Sequence, residues 1–304
     1  MDTYEEFREK FKKAFTDSLT EADRARVSFG TARKINREKD TVTLCGDMGH
    51  YKGGPCIYPE DFYRRFTAGE SMEEVVRKAS EVLFTAAGRQ YEIPDFSMEY
   101  LKEHVVLQLI NREWNTEYLK EVPHRDYMDL AVIYRCIMGR DNDTTASCVI
   151  TNGLMKQVGI TEEELYGMAY NSTMKLLSPR VFSMYEMLMQ TGRQNHIREE
   201  DYPEDMLKAL MMSDMRVLSN SGGMLGAYLL LYPDYFSTIP GDGQDMYIIP
   251  SSIHELIVLP AAECSKENLL TMIHEVNIGE VAPEERLSDT LYMYDAANKT
   301  VRIA

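Results

Sequence analysis

The stretch "MYIIPSSIHELIVLP", residues 246–260, predicts the class of fold. It holds two apolar, β-branched runs separated by polar residues, a pattern that predicts two antiparallel strands joined by a tight connection. The C-terminal stretch "TLYMYDAANKTVRIA", residues 290–304, has the same form and is expected to turn at "AANK". Amphipathic helices with a 3.6-residue period lie between such hairpins. Because the strands do not alternate regularly with helices, we predict an α+β fold with mixed or antiparallel sheets.

The polar stretch "RQNHIREEDYPED", residues 193–205, is the most linker-like part of the chain. We therefore expect an N-terminal β-hairpin with helices in 1–100, a central α+β unit in 101–192 and an acidic α+β unit in 203–304. One continuous globular fold is the alternative. The segments "CVITNGLMKQVG" and "RVLSNSGGMLGA" are similar, because each predicts a strand, a corner with Asn and a helix. This similarity leaves open two related lobes.

Local signals predict particular boundaries. Thr3 and Glu6 form a capping box at the start of the first helix. "NREKD" is expected to be the turn between the first two strands. Ser178 and Pro179 are expected to begin a helix that ends at Gly192, and "GMLGAYLLLYPDYF" to form another.

The charge of the chain is uneven. The formal net charge is −16, and residues 199–304 hold 6 Lys and Arg against 18 Asp and Glu. Repulsion from such a surface opposes the neutralisation of phosphates that drives nucleic-acid binding. Direct nucleic-acid binding is therefore not expected, whereas a basic protein partner remains open.

The sequence favours a soluble protein of the cytoplasm. No window approaches the length of a membrane span, and the charged N-terminus lacks the layout of a secretory signal. The five cysteines are odd in number, scattered and without a CxxC pair, which is typical of reduced thiols. We expect no cofactor and no membrane association.

The histidine pattern argues against a zinc site. The pairs His254–Glu255 and His274–Glu275 both lack the second histidine of HExxH, because Val258 and Ile278 stand at that position. The six histidines show no ligand spacing: His50, His104, His124, His196, His254 and His274. No metal ligands are therefore predicted.

Two weak candidate sites remain. Ser251 or Ser252, with His254 and a carboxylate such as Glu255, could form a hydrolase site, although the GxSxG elbow is absent. The glycine-rich corner "NSGGMLG", with Asn220, Ser221, Gly222 and Gly223, could present helix amides to an anion or a cofactor. The alternatives are a satisfied strand corner in the first case and close packing in the second.

The chain resembles an uncharacterised bacterial family, a domain of unknown function found in anaerobic, gut-type Gram-positive bacteria. The segments "PSSIHE" and "APEERLSD" are the most specific parts of a resemblance that runs almost the whole length. The middle segment "VITN…GITEEEL…AYNS" is also faintly similar to another uncharacterised Gram-positive family. The resemblance implies no activity and no catalytic residues.

These observations favour a non-catalytic binding or regulatory protein over an enzyme. Its most interesting surface is expected where "PSSIHE" meets the "NSGG" corner, with the acidic C-terminal third as a partner face. The hydrolase is the first alternative. The second is an acidic inhibitor that mimics nucleic acid, motivated by the uneven charge.

Overall fold

The computed structural model describes residues 2–48, 51–88, 94–140, 145–194, 196–240, 243–262 and 264–304. The chain divides into two compact units, Met1–Ile93 and Pro94–Ala304. Every strand pairing within the described residues is antiparallel, and helices accompany the sheets in both units. The α+β prediction is confirmed. None of the helices in these ranges combines the length and apolar character needed to cross a membrane. Whether the three predicted segments fold separately stays a prediction.

The first unit contains a small helix-covered sheet. Its elements are α1 (Tyr4–Ser18), α2 (Glu21–Arg24), β1 (Val27–Lys34), β2 (Arg37–Leu44), β3 (Gly46–Met48), β4 (Tyr51–Gly53), β5 (Cys56–Ile57), α3 (Pro59–Thr67) and α4 (Met72–Gly88). The sheet has the order β1–β2–β5, and β3 pairs with β4. The fully buried rings of Phe7, Phe11 and Phe15, one turn apart on α1, form the centre of its core.

The N-terminal cap was predicted correctly and the first turn was not. Thr3 accepts a hydrogen bond from the Glu6 N–H, and the Glu6 side chain accepts one from the Thr3 N–H. The turn lies earlier than "NREKD", because Arg37 already pairs with Lys34. Asn36 takes the positive φ of 62° that so tight a connection needs, a conformation that Asn tolerates.

The second unit contains two larger sheets. Its elements are α5 (Met98–His104), β6 (Val105–Asn111), α6 (Thr116–Leu119), β7 (His124–Tyr127), β8 (Leu130–Arg140), β9 (Thr145–Val149), α7 (Asn152–Val158), α8 (Glu162–Leu176), β10 (Pro179–Ser183), α9 (Met184–Gln194), α10 (Glu204–Met211), β11 (Arg216–Asn220), α11 (Pro233–Phe236), β12 (Met246–Ser252), β13 (Glu255–Pro260), α12 (Lys266–Gly279), β14 (Tyr292–Asp295) and β15 (Thr300–Ile303). Short 3₁₀ helices span Glu199–Asp201, Gly226–Leu231 and Pro283–Glu285.

The four-stranded sheet is built around β8. Strand β6 pairs along one side of β8, while β7 and β9 share the other side in succession. Helix α8 packs against β6, where the hydroxyl of Thr173 accepts a hydrogen bond from the Leu107 N–H at 3.0 Å. This contact fixes the helix on a strand that is buried throughout.

The six-stranded sheet has the order β10–β11–β13–β12–β14–β15. The stretch 246–260 forms its two central strands, as its pattern predicted, and β14 with β15 forms the predicted terminal hairpin. The strand pair of 246–260 is therefore in the middle of the fold, with β11 on one side and β14 on the other.

Two predicted helices are wrong. Pro179 to Ser183 form the edge strand β10, paired with β11, and the helix begins only at Met184 and continues past Gly192. Proline is compatible with the start of an edge strand as well as with the start of a helix. Residues 226–231 form a fully buried 3₁₀ helix, not an α-helix, and only Pro233–Phe236 of that stretch is α-helical.

Candidate functional site

The "PSSIHE" segment forms the connection between β12 and β13. Ser252 pairs with Glu255, which leaves Ile253 and His254 at the tip. The Ser252 hydroxyl accepts a hydrogen bond from the His254 N–H at 3.0 Å, and the Ser251 hydroxyl donates to Glu255 Oε1 at 3.0 Å. Both serines thus stabilise the turn in which they lie, as the simpler interpretation expected.

The "NSGG" corner follows β11 and folds around Asn220. The Asn220 carbonyl oxygen of the side chain accepts from the Gly222 N–H at 2.9 Å, and its amide donates to the Met224 carbonyl at 2.5 Å. Gly223 has a φ of +60°, which a glycine adopts without strain. Ser221 lies exposed on this corner.

The two segments meet, as the sequence led us to expect. The Leu225 N–H donates to His254 Nδ1 at 3.1 Å, and the Gly226 N–H donates to the His254 carbonyl at 2.9 Å. The Ser219 hydroxyl donates to the same carbonyl at 2.8 Å. His254 therefore holds the β12–β13 turn against the "NSGG" corner that follows β11.

This arrangement occupies the amides proposed for an anion. The N–H groups of Leu225, Gly226 and Ala227, at the start of the 3₁₀ helix, donate to His254 Nδ1, to the His254 carbonyl and to the Ile253 carbonyl. These three N–H groups therefore already have acceptors and are not free to bind a phosphate as the N–H groups of a helix N-terminus do.

The hydrogen bonds also bear on the hydrolase hypothesis. Because Nδ1 accepts a hydrogen bond, the neutral imidazole carries its proton on Nε2, which lies 3.8 Å from Glu285 Oε1. The hydroxyls of Ser251 and Ser252 are bonded to Glu255 and to a backbone N–H. A serine nucleophile needs an imidazole nitrogen that accepts its proton, and this geometry offers neither serine such a nitrogen.

Burial shifts the pKa of both ionisable groups. Burial lowers the pKa of His254; the charge of Glu285 opposes this shift, and that of Arg135 adds to it. Burial raises the pKa of Glu255, while its hydrogen bond from Ser251 acts in the opposite direction. Both shifts favour the neutral forms, as expected for a packed corner.

We expect this corner to weaken on acidification. A histidine whose folded-state pKa lies below its ordinary value of 6.5 is protonated first in the unfolded chain. Its contribution to stability is complete at higher pH and is lost as the pH falls below that value. The contribution of His254 to the free energy of unfolding, measured in urea titrations, should therefore fall as the pH drops below about 6.5, whereas the raised pKa of Glu255 acts with the opposite sign.

The variant His254→Asn isolates this effect, because an amide oxygen can accept the Leu225 N–H but does not titrate. On acidification its unfolding free energy should fall less than that of the wild type. The exposed His274, on α12, supplies the control variant His274→Asn, which should keep the wild-type slope. Equal slopes for His254→Asn and the wild type would contradict the assignment.

The described residues contain no group of three or more His, Cys, Asp and Glu side chains arranged to hold a metal ion. His50 lies outside the described residues. His274 of the second His-Glu pair contacts Asp289 at 3.9 Å on the protein surface. The contact between the "PSSIHE" turn and the "NSGG" corner consists of hydrogen bonds.

Sequence reasoning missed two other features of the second unit. One is the methionine-rich helical pair α9 and α10 with its exposed apolar side chains. The other is Arg135, a cation within the apolar run "AVIYRCIM", whose side chain donates a hydrogen bond to Gln108 in "VVLQLIN". For Arg135, the signal that could have drawn attention to it is a polar residue inside an otherwise apolar strand.

The chain was compared with known proteins. The model of a family of unknown function (DUF5688) matches residues 4–296. Comparisons with curated proteins and with solved structures found no significant match. The predicted resemblance to a family without an assigned activity is confirmed to this extent. Since the match covers almost the whole sequence, the chain belongs to this family of unknown function, DUF5688.

Proposed function

We propose that this protein is a non-catalytic binding protein whose partner is a basic, amphipathic helix of another protein. The observation that carries the proposal is the concentration of exposed apolar side chains on one helical hairpin. Ten large apolar side chains are exposed in the described ranges, and four of them lie between residues 197 and 212: Ile197, Met206, Met211 and Met212.

The helix α10 is incompletely covered by its own unit. It packs on α9, which in turn packs on β10 and β11. None of its residues is fully buried; Leu207 and Leu210 are half-buried, and the side chain of Met211 is 55% exposed. Clusters of exposed apolar residues with a polar rim are typical of interaction sites.

Methionine suits such a surface. Its flexible, polarizable side chain adapts to the shape of an apolar partner, and it is common where one surface binds several targets. Met212, at the end of α10, is 85% exposed, so most of its apolar area faces solvent. Covering this area by a partner would release the water that it orders.

The charge around these methionines selects a basic partner. Residues 197–212 hold five acids against two bases. All five acids are exposed: Glu199, Glu200, Asp201, Glu204 and Asp205. Arg198 and Lys208 both pair with acids of the same segment. Lysines on the rim of an apolar helix would complement this excess of carboxylates.

The alternatives have less support. A nucleic-acid mimic needs a surface of carboxylates at phosphate-like spacing, whereas here exposed methionines follow the acids along the same hairpin. The hydrolase lacks a serine bonded to the imidazole. A cytoplasmic location belongs to the same proposal and is supported by five cysteines that are all free thiols. A bacterial origin is proposed from the resemblance in sequence alone.

The test uses a leucine–lysine peptide of helical periodicity as the probe, titrated into the full chain by calorimetry. We expect saturable one-to-one binding, and much weaker binding of a peptide with the same composition in scrambled order. The double variant Met211→Glu, Met212→Glu should weaken binding by roughly tenfold or more, since it removes the apolar contact. Ile278→Glu, on the exposed side of α12, is the matched control and should bind as the wild type does.

The double variant also separates the proposal from simple charge attraction. Two added carboxylates would strengthen attraction to a cationic peptide if charge alone held it. Unchanged or tighter binding by Met211→Glu, Met212→Glu would therefore overturn the proposed surface. So would equal affinity for the ordered and scrambled peptides.

A further inference from the structure

Arg135 lies on the four-stranded sheet of the second unit, close to the junction of β7 and β9. It pairs with Val106 on β6 and with Val149 on β9. Its Nε and Nη2 donate to the Ser147 hydroxyl at 3.2 and 3.0 Å, and Nη2 also donates to the Ser147 carbonyl at 3.3 Å. Nη1 donates to Gln108 Oε1 at 3.4 Å. These bonds hold the guanidinium in one orientation.

The positive charge of Arg135 has no acidic partner in the part of the chain that the structure describes. No described Asp or Glu forms an ion pair with it, and its acceptors are a hydroxyl, a carbonyl and a carboxamide. Burial lowers the pKa of the guanidinium, while the nearby Tyr118 and Cys148 act weakly against this shift. Partly buried charges are ordinarily paired, because removing a charge from water is costly.

Further donors around Arg135 also lack acceptors. Gln108 is only 1% exposed, and its amide nitrogen donates to none of the described residues. The Tyr118 hydroxyl, close enough for the Arg135 charge to act on its pKa, has no acceptor in the described ranges either. Nη1 carries two hydrogens, and only one of them has an acceptor in this part of the chain.

Arg135 and Tyr118 are partly exposed, which leaves their donors within reach of a ligand. The buried polar atoms without a partner are the Ser80 and Tyr294 hydroxyls, as far as the structure describes the chain. The Gln108 amide nitrogen and the Tyr118 hydroxyl are not among them; Tyr118 is partly exposed, whereas Gln108 is almost completely buried. Together with Arg135 they present a cation and neutral donors; the Glu121 carboxylate is near enough to raise the pKa of the Tyr118 hydroxyl, and it forms no described ion pair with Arg135.

We propose that Arg135, Gln108 and Tyr118 bind the carboxylate or phosphate group of a small-molecule ligand. A guanidinium with a free N–H matches the oxygens of either group and forms charge-assisted hydrogen bonds with them. The Gln108 amide and the Tyr118 hydroxyl would donate to the remaining oxygens. The bound oxyanion would supply the negative charge that pairs with Arg135, for which the described residues provide no ion-pair partner. This site uses residues other than those of the α9–α10 hairpin, so the two proposals fail independently.

The experiment measures the melting temperature of the full chain in sodium phosphate, sodium sulfate and sodium acetate, against sodium chloride at matched ionic strength. At a concentration ten times the dissociation constant, a ligand of the folded state should raise the melting temperature by roughly 3–6 °C. A response to phosphate and sulfate alone assigns the ligand to the phosphate class, and a response to acetate alone assigns it to the carboxylates. Equilibrium dialysis with labelled phosphate or acetate then gives the stoichiometry, expected to be one per chain.

Arg135→Met should abolish the oxyanion response and melt no lower than the wild type without added oxyanion, because an unpaired charge has been replaced by an apolar chain of similar length. Gln108→Met keeps the charge and should weaken the response several-fold. Arg112→Met, which removes an exposed arginine paired with Asp126 on the same sheet, is the matched control and should respond as the wild type does. If Arg135→Met does not fold, Gln108→Met and dialysis of the wild type decide the outcome.

A wild type that responds to the oxyanions no more than to chloride would overturn the site. A response that survives in Arg135→Met or Gln108→Met at wild-type strength would overturn the assignment to these residues.

Discussion

Replacing Gly226 by alanine is expected to destabilise the second unit by about 3 kcal/mol or more. A Cβ at this position would lie 2.3 Å from the His254 carbonyl oxygen and 2.8 Å from the Ser219 Cα. Both are backbone atoms, one in the β12–β13 turn and the other in β11, so neither can move aside alone. The clash would break the Gly226 N–H bond to the His254 carbonyl and separate the "PSSIHE" turn from the "NSGG" corner.

Urea unfolding followed by circular dichroism measures the loss. Gly167→Ala is the matched control, because a Cβ on Gly167 meets no atom within 4 Å and Gly167 lies inside α8. Alanine should stabilise that helix by roughly 0.5–1 kcal/mol. A loss below about 1 kcal/mol for Gly226→Ala would show that the corner tolerates separation and that this packing is wrong.

The second large effect concerns Asp129, between β7 and β8. Its carboxylate accepts hydrogen bonds from the Ser288 hydroxyl at 2.6 Å and from the Tyr292 hydroxyl at 2.8 Å. Both donors are buried, with exposures of 1% and 0%. Burial and the Asp129 charge raise the pKa of Tyr292, so the phenol keeps its proton and remains a donor.

Asp129→Ala should therefore lower the free energy of unfolding by about 3 kcal/mol, since two buried hydroxyls lose their acceptor. Asp126→Ala is the control on the adjacent strand. Asp126 is exposed and pairs with Arg112 at 2.9 Å, a surface ion pair whose loss costs about 1 kcal/mol or less. Similar losses for the two variants in urea unfolding would contradict a buried role for Asp129.

Helix caps and hairpins, which depend on residues close together along the chain, could be predicted from the sequence. The capping boxes Thr3–Glu6 and Thr161–Glu164 begin α1 and α8, and Ser265 caps α12. The strand pair of 246–260 and the terminal hairpin form from neighbouring residues. Their partners are close along the chain, so the pattern itself contains the information.

The same reasoning failed where a distant partner competes with a local signal. Ser178 and Pro179 are compatible with a helix start, yet pairing with β11, from Pro179 opposite Asn220 to Ser183 opposite Arg216, makes residues 179–183 a strand. The stretch 226–231 has the composition of a helix. Its first N–H groups bond instead to the β12–β13 turn, which draws the backbone into a tight 3₁₀ helix.

The sequence by itself determined the α+β class, the central hairpin, the caps and the acidic character of the C-terminal third. Only the tertiary structure decided how the candidate residues are used. His254 meets Leu225 across 29 positions, and Asp129 meets Tyr292 across 163. Arg135 is left without a carboxylate among the described residues by strand register alone. Local propensity extends over a turn or two, whereas the partners of buried polar groups are set by which strands pair.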